Sequence, residues 1–160
     1  VTDTFDIVDG KLDRNQAYTY AQERISQVLE ENPSIEVIID LHRDGVADNQ
    51  RLVTELGGKQ TAKVMFFNGL SRTKQNGEIS YLPNPYIQDN LAFSLQMMLA
   101  CEKYYPDFAR TIYLRGYRYN LHLRPKTLLV ECGAQTNTVE EEMNAMEPLA
   151  DVLNKVLTGT

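Results

Sequence analysis

The sequence predicts an α/β fold in which a largely parallel central sheet is flanked by helices, within one domain over residues 1–160 or the carboxyl-terminal portion of one. Two apolar runs carry this prediction. Ile35–Leu41 and Thr127–Val130 each end in polar residues, as buried strands of parallel sheets do. Segments with helical periodicity alternate with the apolar runs, which is the pattern of this fold class. With 160 residues, the chain can bury one sizeable core.

Composition and charge argue against several functions. The net charge is −6 and the sequence pI is near 4.9, whereas a general nucleic-acid binder carries a basic stripe. No apolar run approaches the roughly 20 residues that span a bilayer, and no signal peptide is visible. Because the chain begins at Val1 without an initiator Met, we expect a fragment. Cys101 and Cys132 form no CxxC pair, which argues against a zinc knuckle and favours buried free thiols.

The first half of the chain is predicted to hold one helix and two strands. A helix is expected from about Asp13 to Glu31, where apolar residues recur at steps of three and four. Ile35–Leu41 follows as a strand buried on both faces. After a polar loop with a short extended piece at Arg51–Glu55, Thr61–Phe67 is expected to form the second strand. Asn68-Gly69 ends it, at what we expect to be the same functional edge.

The middle of the chain is predicted to hold a long loop and a second helix. Ser71–Asn90 is the longest irregular segment, and loops of this length are usually functional or mobile. Asp89 or Asn90 then caps a helix that runs to about Tyr104, shortly before Pro106. The residues of this helix that we expect to face the core are Leu91, Leu95, Met98 and Leu99.

The last third is predicted to hold two short strands and a long helix. The strands are Thr111–Leu114 and Thr127–Glu131. Thr138 begins the helix, with Glu141 three residues later to complete a capping box, and Pro148 should kink or divide it. The expected buried stripe of this helix is Val139, Met143, Met146, Leu149, Leu153, Val156 and Leu157.

Polar side chains stand directly after both apolar runs. His42 follows one run and Glu131 follows the other. If the two strands are parallel neighbours, both side chains emerge at the sheet edge where α/β proteins bind ligands. An imidazole and a carboxylate at such an edge are the parts of a metal-assisted hydrolase. For either residue alone, the alternative is a polar strand end without chemistry.

A catalytic zinc takes three protein ligands, and the chain has two histidines. A site made of His42, His122 and a carboxylate such as Asp44 is possible on residue types, with Asp40 orienting the imidazole. Glu131 would then act as the general base, because burial raises the pKa of a carboxyl group. The alternative for His122 is a surface or packing residue.

Four segments of the chain resemble the stage II sporulation protein P family. They are IIDLHRD, NLAFSLQ, YPDFARTIYLRGYRYN and LLVECGAQTNTVEEE, in an order that the family shares from about Val1 to the end. The resemblance implies an extracytoplasmic, membrane-anchored peptidoglycan hydrolase of sporulation, with the hydrolase-like fold of zinc-dependent N-acetylmuramoyl-L-alanine amidases. It further implies endopeptidase activity and a partner in engulfment, stage II sporulation protein D.

The resemblance also implies roles for single residues. His42 matches the zinc-binding histidine in the family's Asp-x-His-Arg-Asp motif, and Glu131 matches the catalytic glutamate in its Leu-x-Glu-x-Gly motif. Arg43 and Arg115 fall in family motifs and are candidates for holding a substrate carboxylate. The family's other zinc ligands, a histidine and a glutamate, lie upstream of this part. We therefore expect the fold and the zinc site to be incomplete on the N-terminal side.

An incomplete fold would leave a sheet edge exposed, and such an edge invites pairing between chains, so a homodimer is expected through it. Two other functions compete with the amidase. The first is a non-catalytic module that binds peptidoglycan stems or a sporulation partner through Arg115–Arg124. The second is a peptidase of carboxypeptidase-like fold, which would need a metal-ligand motif that this sequence does not show.

Overall fold

The computed structural model describes residues 3–13 and 16–160, and within them it contains three helices and ten strands. The helices are α1 (Ala17–Glu31), α2 (Ile87–Tyr104) and α3 (Val139–Thr158). The strands are β1 (Ile7–Val8), β2 (Lys11–Leu12), β3 (Val37–Asp44), β4 (Val53–Leu56), β5 (Lys59–Ala62), β6 (Val64–Gly69), β7 (Arg72–Thr73), β8 (Gly77–Glu78), β9 (Tyr113–Arg115) and β10 (Lys126–Ala134). No helix in the described ranges is long and apolar enough to cross a membrane.

Four strands form the central sheet in the order β3-β10-β6-β9. β3 is parallel to β10, β10 is antiparallel to β6, and β6 is parallel to β9. The other six strands pair as three small antiparallel ladders, β1-β2, β4-β5 and β7-β8. The predicted α/β fold, with a mostly parallel central sheet flanked by helices, is therefore confirmed.

The main core lies between one face of this sheet and the helices α2 and α3. Its buried residues include Val64, Phe66, Phe93, Met97, Leu128, Val130, Ala145 and Val152. The second face carries a smaller cluster, in which Met65, Phe67 and Leu129 pack with Leu121. Because this cluster is small, part of the second face is open to a cavity.

β3 lies at the edge of the sheet, so the prediction of a strand buried on both faces was wrong. The side chains of Ile39 and Leu41 are 38% and 49% exposed. Among the described residues no strand pairs with the outer edge of β3. An apolar run indicates a strand, but its position in the sheet depends on neighbours that the run does not encode.

The predicted strand Thr61–Phe67 is divided at Lys63 into β5, which pairs with β4, and β6, which joins the central sheet. β6 is antiparallel to β10. The carboxyl end of β6, at Asn68 and Gly69, therefore lies on the opposite side of the sheet from the carboxyl end of β10. The prediction that these residues share the functional edge was wrong. Asn68 is buried instead, and its amide donates a hydrogen bond to the Ser94 hydroxyl at 2.8 Å.

The three helices lie close to the predicted positions. The prediction that Asp89 or Asn90 caps α2 was wrong, because this helix begins at Ile87 and both residues lie inside it. α1 begins at Ala17, and residues 14–15 of the predicted helix lie outside the described residues. The capping box of α3 is present, because the Thr138 hydroxyl accepts from the Glu141 N–H and the Glu141 carboxylate accepts from the Thr138 N–H. Pro148 lies inside α3 without dividing it.

The buried faces of α2 and α3 differ from the prediction. In α2, Leu95 and Leu99 are exposed, and the buried residues are Asn90, Phe93, Ser94, Met97 and Cys101. In α3, Val139 and Met143 are exposed, as is Leu157. Both helices carry apolar residues on more than one side, so periodicity alone could not select the face that packs. Cys101 and Cys132 are buried free thiols, as predicted.

Candidate active site

The ladder between β3 and β10 brings His42 and Glu131 side by side. The two residues are direct partners in the parallel register. Partners on neighbouring strands share one face and lie roughly 4.8 Å apart in the direction of the hydrogen bonds. Both line one cavity of about 650 Å³ on the open face of the sheet. The structure therefore brings the two residues together as predicted, but inside β3 and β10 on the open face of the sheet. The prediction that they follow the ends of the strands was wrong, because the strands continue to Asp44 and Ala134.

The His42 imidazole is held by Asp40. The Nε2 atom of His42 lies 2.7 Å from Asp40 Oδ1, and Asp40 Oδ2 accepts a hydrogen bond from the Tyr18 hydroxyl at 3.4 Å. The hydrogen bond to Asp40 raises the pKa of His42, against the opposing effect of burial. Because an ionised carboxylate only accepts, Nε2 carries the proton of this bond. In neutral His42, Nδ1 is thus the nitrogen left to bind a metal or accept a proton.

Glu131 is a partly buried carboxyl group without a full set of partners. Its Oε2 atom is buried and accepts no hydrogen bond from the described residues. Burial raises the pKa of Glu131, the charge of His42 opposes this, and Asp44 and Asp40 add to it. An unpaired buried oxygen destabilises the fold, so its presence points to a functional role. A carboxyl group with a raised pKa is suited to accept and return a proton near neutral pH.

Arg110 is a residue of this cavity that the sequence analysis missed. Its Nη1 donates to Asp44 Oδ2 at 2.7 Å, and its charge lowers the pKa of Glu131. The ion pair engages Asp44, which the sequence offered as a metal ligand. Nothing in the spacing distinguishes Arg110 from the arginines that follow it, so only the fold could identify it.

The opposite end of the cavity is aromatic and positively charged. The Phe67 ring centroid lies 5.5 Å from that of Tyr113 and 4.8 Å from that of Tyr119. The Arg115 guanidinium stands over the Tyr113 ring, 5.1 Å from its centroid. Arg115 forms no ion pair with any residue that the structure describes. This end of the cavity therefore offers a free guanidinium to a carboxylate ligand.

Two other predicted candidates lie apart from this cavity. Strand alternation puts Arg43 on the opposite face of β3 from His42, and its Nη1 lies 3.7 Å from a Glu142 carboxylate oxygen. His122 does not line the cavity. Its Nδ1 atom is buried without a hydrogen-bond partner in the described chain, and burial together with the charge of Arg118 lowers its pKa to about 4. The structure therefore does not assemble a site of His42, His122 and Asp44.

The described residues do not fit a complete zinc site by themselves. Within residues 3–13 and 16–160, no group of three or more His, Cys, Asp or Glu side chains could hold a metal ion. The cavity offers one imidazole from His42, while Asp40 and Asp44 are engaged by His42 and Arg110. A catalytic zinc needs three protein ligands, so at least two would have to come from outside this set.

Comparisons with known proteins identify a family. The model of the stage II sporulation protein P family matches residues 1–154. Stage II sporulation protein P of Bacillus subtilis (strain 168) is 28% identical over 159 residues, a match that covers 93% of this chain and 36% of that protein. The chain thus spans little more than a third of the length of this relative.

Two solved structures are similar at low identity. The N-acetylmuramyl-L-alanine amidase Ami1 from Mycobacterium smegmatis has 17% identity and a TM-score of 0.47, over 86% of this chain and 58% of that one. The apo form of Ami1 from Mycobacterium abscessus has 14% identity and a TM-score of 0.40, over 98% of this chain and 81% of that one.

Proposed function

The chain belongs to the stage II sporulation protein P family, and from this we propose that it is a peptidoglycan hydrolase of sporulation that acts in engulfment. The proposed reaction is hydrolysis of the amide between muramic acid and L-alanine, as in zinc-dependent N-acetylmuramoyl-L-alanine amidases, with endopeptidase activity as an additional reaction. The observation that carries the proposal is the register pair of His42 and Glu131 in one open cavity.

Glu131 is the proposed general base. It takes a proton from the water that attacks the scissile carbonyl carbon and passes this proton to the departing amine. The raised pKa that burial gives to Glu131 supports this role, because the group must hold the proton between the two transfers. Among the described residues, His42 is the one side chain that we propose as a zinc ligand. No step of the reaction is assigned to the metal, since the described residues do not complete its site.

Arg115 is the proposed contact for a carboxylate of the peptide stem. Arg115 is the partner of Gly69 in the ladder of β9 and β6, whereas Glu131 is the partner of Met65 in that of β6 and β10. Four residues of β6 therefore separate them, which is roughly 13 Å along the strand. Glu131 and Arg115 also lie on opposite sides of β6, which adds two strand spacings of roughly 4.8 Å each across the sheet. The carboxylate would therefore lie several residues from the cleaved bond in an extended peptide.

The same role remains a prediction for Arg43, which lies on the other face of β3 beside Glu142. Arg43 lines a second cavity, at the outer edge of β3, to which His42 and Asp44 also contribute.

The proposed partners are peptidoglycan and stage II sporulation protein D, at an extracytoplasmic, membrane-anchored location. A homodimer through the outer edge of β3 is also proposed, and the exposed side chains of Ile39 and Leu41 support it. Sedimentation of the chain over a wide concentration range tests this dimer, because a monomer at every concentration would remove it.

The substitution Glu131→Gln tests the catalytic proposal in a form of the protein that degrades purified peptidoglycan. We expect hydrolysis to fall about 10²- to 10⁴-fold, because the amide cannot accept the proton, while co-sedimentation with cell walls is retained. Glu55→Gln is the matched control, since Glu55 is exposed on β4 away from the cavity. Unchanged hydrolysis would remove Glu131 from the mechanism. Binding without hydrolysis in the unsubstituted protein would favour the non-catalytic module.

A further inference from the structure

We propose that Tyr18 is a positioning residue that fixes the Asp40 carboxylate and, through it, the His42 imidazole. This inference rests on the proposed function of His42. The two oxygens of Asp40 are both engaged: Oδ1 lies 2.7 Å from His42 Nε2, and Oδ2 accepts from the Tyr18 hydroxyl at 3.4 Å. The terminal torsion of an aspartate is broad, so Oδ1 faces His42 reliably only if another contact holds the carboxylate. Tyr18 supplies that contact.

Tyr18 is itself held on two sides, which is what a positioning residue requires. Its ring packs edge-on against the Tyr119 ring at 5.5 Å, and Tyr119 packs edge-on against Phe67 of β6 at 4.8 Å. Its backbone carbonyl accepts a hydrogen bond from the Asn120 side-chain amide at 2.9 Å. The hydroxyl of Tyr18 is therefore placed by contacts to the sheet and to one loop, and not by α1 alone.

The loop that holds Tyr18 has an unusual backbone. Tyr119 and Asn120 are consecutive and both left-handed, with φ of 51° and 58°. This region is uncommon for residues other than glycine, and least favourable for bulky side chains such as that of Tyr119. Strained residues of this kind persist where the surrounding structure holds them, and they cluster at functional sites. Here the strained pair presents the Tyr119 ring and the Asn120 amide to the same residue, Tyr18.

The electrostatics of Tyr18 suit a permanent hydrogen-bond donor. Burial raises the pKa of the Tyr18 hydroxyl far above its usual value, and the neighbouring charge of Asp40 raises it further. The hydroxyl therefore stays protonated, so the contact to Asp40 Oδ2 is never lost by ionisation of Tyr18.

The test measures the Nε2 proton of His42 by NMR in the ¹⁵N-histidine-labelled chain. The chain has two histidines, so His122 serves as an internal reference. We expect Tyr18→Phe to speed the exchange of the His42 Nε2 proton with water about two- to tenfold, the effect of losing one hydrogen bond. The matched control is Tyr20→Phe, because Tyr20 is exposed on the same helix. Asn120→Gly is a second variant, which keeps the left-handed backbone accessible but removes the amide that binds the Tyr18 carbonyl.

The outcomes separate positioning from packing. Faster exchange at His42 in Tyr18→Phe, with His122 and the urea midpoint unchanged, supports the proposal, and Asn120→Gly should change the His42 signal in the same direction. An unchanged His42 signal in Tyr18→Phe overturns it, as does an equal change at both histidines, which would indicate general loosening. The readout does not depend on peptidoglycan hydrolysis, so a failure of the proposed function would leave this result interpretable.

Discussion

Glu131 is the direct partner of His42 in the parallel ladder of β10 and β3, and this register places a carboxylate and an imidazole on one face of the sheet. Contacts within the described part of the fold leave a polar atom of each side chain without a partner. Glu131 Oε2 is buried without a hydrogen-bond donor among the described residues, and His42 engages Asp40 through Nε2 only. The pair therefore has capacity left for a ligand.

Zinc affinity is the first property that this arrangement predicts. Because the described residues supply no three-residue metal group, we expect the purified 160-residue chain to retain less than one zinc per chain after dialysis, and to hydrolyse peptidoglycan poorly. Elemental analysis of the protein measures this directly. One tightly bound zinc per chain would contradict the prediction, and its loss in His122→Gln would show that His122 completes the site.

The two predicted substrate arginines should differ. Arg115 is free at the end of the cavity, so Arg115→Gln should weaken binding of a carboxylate-bearing stem peptide about ten- to a hundredfold, the effect of losing a charge-assisted hydrogen bond. Arg43 is paired with Glu142 on the other face of β3, so Arg43→Gln should have a smaller effect. Isothermal titration with the free and the amidated peptide measures both. An equal loss in the two variants would place the peptide across the edge of β3.

The sequence was informative wherever local chemistry decides structure. The two apolar runs form neighbouring parallel strands, although these strands continue past His42 and Glu131, and the capping box of Thr138 and Glu141 lies where it was predicted. In each case neighbouring residues in sequence carry the signal, either as a change from apolar to polar or as a reciprocal side-chain bond.

The rest of the fold depends on contacts between distant segments. The edge position of β3 and the antiparallel direction of β6 follow from strand order, which no local pattern encodes. The same limit applies to the site. Tyr18 comes to the cavity from α1, outside any segment that resembles the family, and Arg110 comes from the segment before β9, where no local pattern separates it from the other arginines. Only three-dimensional packing shows that they approach Asp44 and Asp40.

The stability of the chain should fall in mild acid because of His122. Burial lowers the pKa of this residue to about 4 from the usual 6.5. Between these two values the unfolded chain binds more protons, so the free energy of unfolding decreases as the pH falls through this window and levels off below it. Urea unfolding at about pH 7 and about pH 5 should show a loss that is smaller in His122→Gln.

His42→Gln provides the comparison of opposite sign. The pKa of His42 is raised, so its contribution to stability is present below the usual pKa and is lost as the pH rises through the folded one. Equal pH dependence in His122→Gln and in the unsubstituted chain would show that His122 is not held neutral by the fold.

The most direct test of a shared reaction centre is a double-mutant cycle on His42 and Glu131. Peptidoglycan hydrolysis is measured for His42→Ala, Glu131→Gln and the double variant in a hydrolytically active form of the protein. Substitutions of residues that act as a unit have strongly non-additive effects. We therefore predict that the double variant retains as much activity as the less active of the two single variants. Losses that multiply in the double variant would show that the two residues act independently, and would contradict the reaction centre.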